Sequence, residues 1–432
     1  MNTYSLYKES GVEWMGEIPS GWKVERIKYV FSKREEKSST GEEELLSVTI
    51  HEGIVPRREY IKEDDHISRS SSLVGYKICY KDDLVNNIMK MGFRCLGISD
   101  YDGIVSPGYS VFHFSDKKNI PKYWNYLLRT DLYVTEYKKR SKGIQESRMR
   151  LYDDYFVDIY TLIPTIQEQQ QISNYLDHKT QQIDSLIEKT QKKIELLKEQ
   201  RTSLINQVVT KGLNPDVEMK DSGVEWIGEI PSGWDFKRLG FGIDTIVPMR
   251  DKPEDLSGEI PWVRIEDKDG RYITKSKTSQ GVSRDTVKKM NLKVYPVGTV
   301  LCTCSCSFGT TLIVKEPMVS NQTFIGLVPK INILTSEFIF YLLGVYKDEL
   351  ERLSSGSIQQ YLSRDNFKSL KVLYPPLQEQ QQIVEYLDEQ TQKIDSTLEK
   401  ETQRIDLLKE YRQSLISEVV TGKVDVRDEV LV

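Results

Sequence analysis

The sequence has few of the residues from which metal sites and disulfide frameworks are built. Its 432 residues include five cysteines and four histidines. Three of the cysteines, Cys302, Cys304 and Cys306, alternate along one strand-like run, and an odd total does not describe a disulfide framework. A tetrahedral metal site needs four ligands, and no histidine lies near this run. We therefore interpret the run as a buried strand of small residues.

Motifs for nucleotide binding and catalysis are also missing from the sequence. It contains neither a G-x-x-x-x-G-K-[ST] phosphate loop nor a G-x-G-x-x-G following a strand. Residues 374–377, Tyr-Pro-Pro-Leu, lack the first and last residue types of an amino-methyltransferase tetrad. Asp216, Glu218 and Lys220 suit a nuclease site, but they lie in one short linker, whereas such acids converge from separate strands. These absences predict a binding protein rather than an enzyme.

Long apolar runs and strong charge of one sign are absent as well. No run of 18 apolar residues and no basic-then-apolar start occurs, so we expect a cytoplasmic protein without a membrane span. The formal net charge of −5 argues weakly against nucleic-acid binding. The 60 Lys and Arg residues nevertheless leave room for a local basic face. The length and the 38% hydrophobic content suffice for two to three domains.

What the sequence does contain is a long internal repeat. Residues 164–210 and 375–421 are identical at 29 of 47 positions, at a constant offset of 211. A shorter pair, ESGVEWMGEIPSGW at 9–22 and DSGVEWIGEIPSGW at 221–234, matches at 12 of 14 positions. Self-similarity of this extent indicates a protein that is built twice.

Each copy of the long repeat predicts a helix of roughly 70 Å, because strong helix formers dominate and neither Gly nor Pro interrupts it. Gly212 and Gly422 follow as candidate left-handed C-caps. Apolar residues recur with heptad spacing, so each helix needs a partner, and the other copy offers a matching seam. A long helix packed on a globular body is the alternative. The seam of the first copy comprises Leu176, Thr180, Ile183, Ile187, Thr190, Ile194, Leu197, Arg201, Leu204 and Val208.

The segments between the repeats, 23–163 and 235–374, predict two globular halves. Strand-like runs in both are separated by Gly, Asp and Ser clusters. A helix is predicted near 121–136 in the first half and at 337–353 in the second. The halves share little identity while their helical supports stay the same. This difference favours two readers on one scaffold over ordinary drift after duplication.

In its two motifs and their order, the chain resembles the specificity subunits of type I restriction–modification systems. The resemblance rests on SGVEWMGEIPSGW and on PTIQEQQQI with its long helix, each present twice, and it covers the whole chain. It implies an α+β fold: two globular α/β target-recognition domains separated by two long helices that form an antiparallel coiled coil, as a pseudo-twofold internal repeat. The expected boundaries are 1–163 and 213–374 for the recognition domains, 164–212 for the first spacer helix, and 375–432 for the second with a C-terminal tail.

The resemblance also implies what the chain binds. It would bind double-stranded DNA at a bipartite, asymmetric target, with two modification subunits and with restriction subunits. S-adenosylmethionine would belong to the modification subunits, and ATP and Mg to the restriction subunits. The chain itself would hold no cofactor or metal and would direct methylation and restriction without catalysing either. The helix pair would set the gap between half-sites, since groove faces of duplex DNA recur about every 34 Å.

Two other functions fit parts of the pattern. A structural coiled-coil scaffold without a DNA role would explain the helices but not two domains rich in Tyr and Trp. A self-sufficient restriction enzyme would have to transfer methyl groups alone. DNA binding and methyl transfer by the isolated chain distinguish these alternatives.

Candidate DNA contacts follow from base chemistry, in which Arg suits guanine and Gln or Asn suits adenine. The loops at 141–145 and 355–360 are the best candidates, because they recur at the same place in both halves. Taken singly, such residues are more often solvated surface side chains. The candidates are Arg57, Arg58, Arg69, Lys90, Arg94, Lys142, Gln145 and Arg148 in the first half, and Arg250, Lys252, Arg264, Lys275, Lys277, Arg284, Ser357, Gln359 and Gln360 in the second.

Overall fold

The computed structural model describes residues 2–60, 72–143, 149–249, 251–305, 307–354 and 361–429. The chain forms two compact units. Unit 1 comprises Met1–Gln191 and Gln403–Val432, and unit 2 comprises Lys192–Thr402. Each unit therefore contains one globular body and part of both long helices, so this division does not test the four-segment boundaries expected above.

The described residues of the globular body of unit 1 form short strands and four short helices. A four-stranded antiparallel sheet has the order β4-β11-β8-β9, and β1-β2, β3-β12, β5-β6 and β7-β10 pair separately. The strands are β1 Tyr7–Glu9, β2 Glu17–Pro19, β3 Lys23–Arg26, β4 Phe31–Lys33, β5 Leu46–Val48, β6 Ile54–Pro56, β7 Lys77–Cys79, β8 Leu84–Asn87, β9 Leu96–Ile98, β10 Gly103–Val105, β11 Tyr109–Phe114 and β12 Tyr160–Ile163. The helices are α1 Arg57–Tyr60, α2 Pro121–Leu128, α3 Asp131–Arg140 and α4 Asp153–Val157, followed by the long α5 Ile166–Lys211.

The globular body of unit 2 has a larger sheet. Its order is β16-β23-β20-β21-β18, and a second sheet has the order β19-β17-β22. The strands are β13 Met219–Asp221, β14 Glu229–Pro231, β15 Asp235–Arg238, β16 Ile243–Ile246, β17 Ile260–Val263, β18 Tyr272–Ile273, β19 Gly281–Val282, β20 Val300–Thr303, β21 Thr311–Val314, β22 Val319–Ser320, β23 Phe324–Pro329 and β24 Lys371–Tyr374. The helices are α6 Arg284–Lys289, α7 Ser336–Val345, α8 Lys347–Leu353, α9 Arg364–Ser369 and the long α10 Leu377–Val420.

Two helices predicted as continuous are interrupted. The first breaks between α2 and α3, where Thr130 adopts an extended backbone and its hydroxyl donates to the Leu127 carbonyl. The second breaks at Tyr346, between α7 and α8. Each break separates two helices that apolar periodicity alone would join.

The long helices pair antiparallel inside each unit. In unit 1, Arg412 of α10 bonds to Asp184 of α5, and Gln171, nearer the start of α5, donates to the carbonyl of Arg427, which follows α10. In unit 2, Arg201 bonds to Asp395. The order of the unit 1 contacts is reversed along the two helices, and the Asp–Arg pairs are equivalent at the 211-residue offset. The predicted antiparallel seam is therefore confirmed within each unit.

The repeated motifs recur because they form one joint between the helix and the globular body. The Trp22 indole donates to Glu168 of α5 at 3.1 Å, and the Trp234 indole donates to Glu379 of α10 at 2.7 Å. Gln169 accepts from the backbone N–H of Ile120, just before α2. The second copy repeats this bond from Thr335, just before α7, to Gln380. The ends of the long helices carry Gly212 and Gly422 with φ of +76° and +75°, as predicted for C-caps.

The cysteine run lies in the core of unit 2. Cys302 and Cys304 are fully buried among apolar side chains, and burial raises the pKa of the Cys302 thiol. Cys306 lies outside the described residues. Among the described helices, none combines the length and hydropathy needed to cross a membrane.

Candidate nucleic-acid interface

The candidate contacts divide by whether the structure describes them. Those it describes are Arg57, Arg58, Lys90, Arg94, Lys142, Lys252, Arg264, Lys275, Lys277 and Arg284. Those that lie outside the described residues are Arg69, Gln145, Arg148, Arg250, Ser357, Gln359 and Gln360. The loop at 355–360 lies wholly outside the described residues, and the loop at 141–145 is described only at 141–143, so both stay predictions as DNA contacts.

In unit 1, two candidates flank one tight turn. A 3₁₀ turn at Met91–Phe93 joins β8 to β9, with the exposed Lys90 before it and Arg94 after it. Arg94 adopts a left-handed backbone with φ of +63° and forms an ion pair with Asp131 of α3. The Lys138 ammonium of α3 lies 5.8 Å from the centre of the exposed Phe93 ring. The turn thus presents cations beside an exposed aromatic ring.

Lys142 also lies beside an exposed aromatic ring, and we call its surroundings the Lys142 strip. Its backbone exchanges two 2.8 Å hydrogen bonds with Arg150, which holds together the two ends of the segment 143–149. The Lys142 ammonium lies 5.0 Å above the ring of the exposed Tyr155. The Leu151 N–H donates to the carbonyl of Ile88 in the β8–β9 region, so the Lys142 strip adjoins the turn between these strands. Cations interleaved with exposed aromatics suit both phosphates and unstacked bases.

The remaining candidates of unit 1 lie on α1. Arg58 is exposed and pairs with Glu44 at 3.3 Å. Burial is the main cause of the raised pKa of Tyr109, and the positive charge of Arg57 opposes that rise. Tyr109 pairs with Asn87 at the end of β8. The Arg57 N–H donates to the Leu45 carbonyl at 2.8 Å, so α1 begins beside the start of β5.

In unit 2, a buried carboxylate brings three candidates together. Asp267 is 3% exposed and accepts from the backbone N–H groups of Arg264 and Lys277, both at 2.7 Å, and from the Ser276 hydroxyl at 3.1 Å. The Lys277 ammonium donates to the Lys268 carbonyl at 2.7 Å. The exposed Lys275 lies in the same loop. We name residues 264–277 the basic loop of unit 2.

The last candidates of unit 2 do not join this loop. Arg284 begins α6, is 82% exposed at its side chain and lies 3.5 Å from Glu259. Because β17 runs antiparallel to β19, Arg284 lies at the opposite end of β17 from Arg264. Lys252 is exposed and precedes β17. Arg284 and Lys252 therefore lie outside the basic loop of unit 2.

Comparison with known proteins shows which proteins this chain is similar to. The family described as the type I restriction modification DNA specificity domain matches residues 231–408. The type I restriction enzyme MjaIX specificity subunit of Methanocaldococcus jannaschii is 31% identical over 167 residues, which cover 37% of this chain and 38% of that protein. The MjaVIII specificity subunit of the same organism is 24% identical over 455 residues and covers 98% of both chains. Residues 231–408 match the specificity domain of this family, and the chain is similar to a type I specificity subunit over 98% of its length.

The fold of the chain is similar to that of a solved structure. A structure concerned with complex assembly and conformational transition of the type I R-M system has a TM-score of 0.73 at 17% identity, covering 94% of this chain and 99% of that chain. The family resemblance and the α+β fold predicted from the repeated motifs are confirmed.

Sequence reasoning missed two residues that shape these surfaces. Asp267 organises the basic loop, yet its partners are identified only by the fold. Arg129 donates to the carbonyls of Ile50 at 2.9 Å and His51 at 2.8 Å and to that of Leu96, so it fastens the loop after β5 to β9. Burial lowers the pKa of Arg129 to about 10, and the nearby Arg94 adds to this effect.

Proposed function

We propose that this chain reads a bipartite, asymmetric site in double-stranded DNA and directs adenine methylation and restriction by partner subunits. One observation carries the proposal: both units have the same joint between helix and body, but their basic surfaces are built differently. Unit 1 carries cations beside Phe93 and Tyr155, whereas unit 2 carries a loop organised by Asp267. Readers that differ on a common support suit two different half-sites.

The helix pair would set the spacing of the two half-sites. Its seam is fixed in each unit by equivalent Asp–Arg pairs, Asp184 with Arg412 and Asp395 with Arg201. A helix of 46 residues such as α5 is roughly 70 Å long. Because the helices support one another along their seam, their length would be converted into a fixed number of base pairs between the half-sites.

The partners would be two modification subunits that use S-adenosylmethionine, joined by restriction subunits that use ATP and Mg. Support for two copies of one partner comes from repeated residues that internal packing does not require. Leu196 is 56% exposed and its equivalent Leu407 is 64% exposed, although both are apolar and identical in the two helices. The methyltransferase would hold the flipped adenine, while this chain, in the cytoplasm, would supply the address.

Purification of the chain with and without its modification subunit tests this function. Duplex DNA, S-adenosylmethionine and the chain alone should give no methyl transfer, and adding the modification subunit should give transfer at one bipartite motif. The chain should also retain pooled duplex DNA in a filter-binding assay, which a pure scaffold would not. Methylation by the chain alone, or by the complex without sequence preference, would contradict the proposal.

A further inference from the structure

An arginine from the β-rich part of unit 2 is fastened to the long helix α10. Arg271 precedes β18, and its guanidinium donates to both carboxylate oxygens of Asp388, at 2.9 Å to Oδ2. The same guanidinium donates to the Tyr341 hydroxyl at 2.7 Å, and that hydroxyl donates to Asp388 at 2.6 Å. The three groups close a ring of hydrogen bonds between the loop before β18, helix α7 and helix α10. We name these three residues the Arg271 clamp.

The surroundings of the Arg271 clamp strengthen it. The Arg271 side chain is only 15% exposed, and its guanidinium lies 5.0 Å from the centre of the Phe340 ring and 4.8 Å from that of Tyr341. A bidentate, charge-assisted pair in a partly dry setting is stronger than an exposed ion pair. Removing one partner also leaves the other charge without compensation. The clamp should therefore hold one geometry rather than fluctuate among several.

The equivalent carboxylate of unit 1 is bonded differently. The Asp177 carboxylate accepts a hydrogen bond from the Lys122 ammonium and another, at 2.9 Å, from the Tyr126 hydroxyl. Both donors lie on α2. Among the described residues of unit 1, no side chain from the strands or their loops is hydrogen-bonded to Asp177. A cleft of about 1200 Å³ lies there instead, with Asp177 and Arg412 in its wall. Both copies thus have an Asp at this position. Among the described residues, an arginine from a loop is bonded to it in unit 2 and not in unit 1.

Arg271 also connects directly to the basic loop. It lies four residues before Lys275 and six before Lys277, and the Ile313 N–H donates to its carbonyl at 2.8 Å, which ties it to β21. The far end of the loop is pinned by Asp267. The basic loop of unit 2 is therefore fixed at two points. Asp267 binds its backbone, and Arg271 connects it to the spacer helix α10. The placement of the loop depends on the contact between Arg271 and Asp388 of α10, which are 117 residues apart in sequence.

We propose that Arg271, Tyr341 and Asp388 are positioning residues that set where the basic loop of unit 2 stands on the spacer, and so determine discrimination at one half-site. The inference rests on the proposed function. None of the three residues reads a base itself in this scheme. Loss of the clamp should leave DNA binding through unit 1 intact and blur recognition at the half-site read by unit 2.

The test uses the full chain in complex with its modification subunits. Initial rates of methyl transfer are compared on the cognate duplex, on duplexes with one substitution in the first half-site, and on duplexes with one substitution in the second. Asp388→Asn and Arg271→Lys should lower discrimination at the half-site read by unit 2 roughly tenfold, as expected for loss of a charge-assisted hydrogen bond. Discrimination at the other half-site should stay as in the wild type.

Asp177→Asn is the matched control, since it changes the equivalent carboxylate where no loop arginine is bonded to it among the described residues. It should leave the half-site of unit 2 unaffected. Tyr341→Phe removes one hydroxyl and is the alternative test if Asp388→Asn or Arg271→Lys does not fold. Thermal unfolding of each complex checks folding. Equal loss at both half-sites, or unchanged discrimination in folded Asp388→Asn and Tyr341→Phe complexes, would overturn the inference. A wild-type complex that reads neither half-site would instead refute the proposed function.

Discussion

Asp184 of α5 accepts two hydrogen bonds from the guanidinium of Arg412 in α10, at 2.9 Å and 3.2 Å. The pair stands beside the seam of unit 1, and the sequence places the arginine at a core position of the heptad. Such a polar layer fixes which residues of two helices face one another, because any other register leaves the charges unmatched.

This pair should contribute to register rather than to stability. Its side chains are 37% and 54% exposed, so Arg412→Ala should lower the free energy of unfolding by less than about 1 kcal/mol. Leu176 is a fully buried seam residue of the same unit. Changing it to Ala should lower the free energy of unfolding by about 2–5 kcal/mol. Urea unfolding followed by circular dichroism measures both, with Arg201→Ala as the equivalent variant of unit 2. A larger loss from Arg412→Ala than from Leu176→Ala would contradict this assignment.

Asp267 should matter more for DNA recognition than its buried position suggests. Asp267→Ala removes the acceptor of two backbone N–H groups and one hydroxyl, so the basic loop loses its fixed shape. We expect weaker binding of the cognate duplex by about 1–3 kcal/mol in the complex. Arg284→Ala, at the opposite end of β17, is the control and should change binding less. Fluorescence anisotropy with labelled duplex gives both values, and equal effects would contradict the role of the loop.

The buried thiols should be protected until the chain unfolds. Burial raises the pKa of Cys79 to about 12, above its ordinary value of 9.0, so the neutral thiol is favoured in the folded state. The stability that this provides is complete below pH 9 and is lost as the pH rises towards 12. Labelling with iodoacetamide at pH 8, read by mass spectrometry of the Cys79 and Cys302 peptides, should be slow in buffer and fast in urea. Fast labelling of both in buffer would show that these sites are open.

The sequence predicted the features that depend on local periodicity. The long helices, the apolar seam between them and the glycine C-caps follow from the order and spacing of residues along the chain, and the structure confirms them. The antiparallel direction of the pair was implied by the family resemblance and is also confirmed within each unit. The breaks at Thr130 and Tyr346 were missed, because the apolar pattern continues across both. A threonine followed by aspartate at 130–131 is a helix-start signal that could have located the first break.

The candidate site was harder to predict, because it depends on contacts between distant residues. Arg264, Lys275 and Lys277 were chosen for their side-chain chemistry, but the carboxylate that gathers them, Asp267, has no distinctive local pattern. The pairing of Arg271 with Asp388 spans 117 residues and becomes apparent only in the folded unit. Individual base contacts stay predictions.

The length of the helix pair should set the gap in the DNA target. A heptad inserted after Glu188, matched by one after Glu399, keeps the seam and lengthens both helices by roughly 10 Å. The methylated adenines should move apart by about three base pairs at 3.4 Å each, while the bases read stay the same. Inserting three residues should abolish activity, because it rotates the seam by roughly 300° and exposes Leu197 and Leu204. An unchanged gap in an active heptad variant would show that the helix pair does not set the distance between the half-sites.

The most direct test of two separate readers is an exchange of residues 23–163 for the equivalent segment of a relative with a different target. Single-molecule sequencing then maps the methylated adenines in cells that express the wild-type or the exchanged chain with its modification subunit. The wild type should give a bipartite, asymmetric motif with a constant gap. The exchanged chain should keep one half of that motif and the gap and change the other half. A motif that changes in both halves, or in neither, would contradict the account.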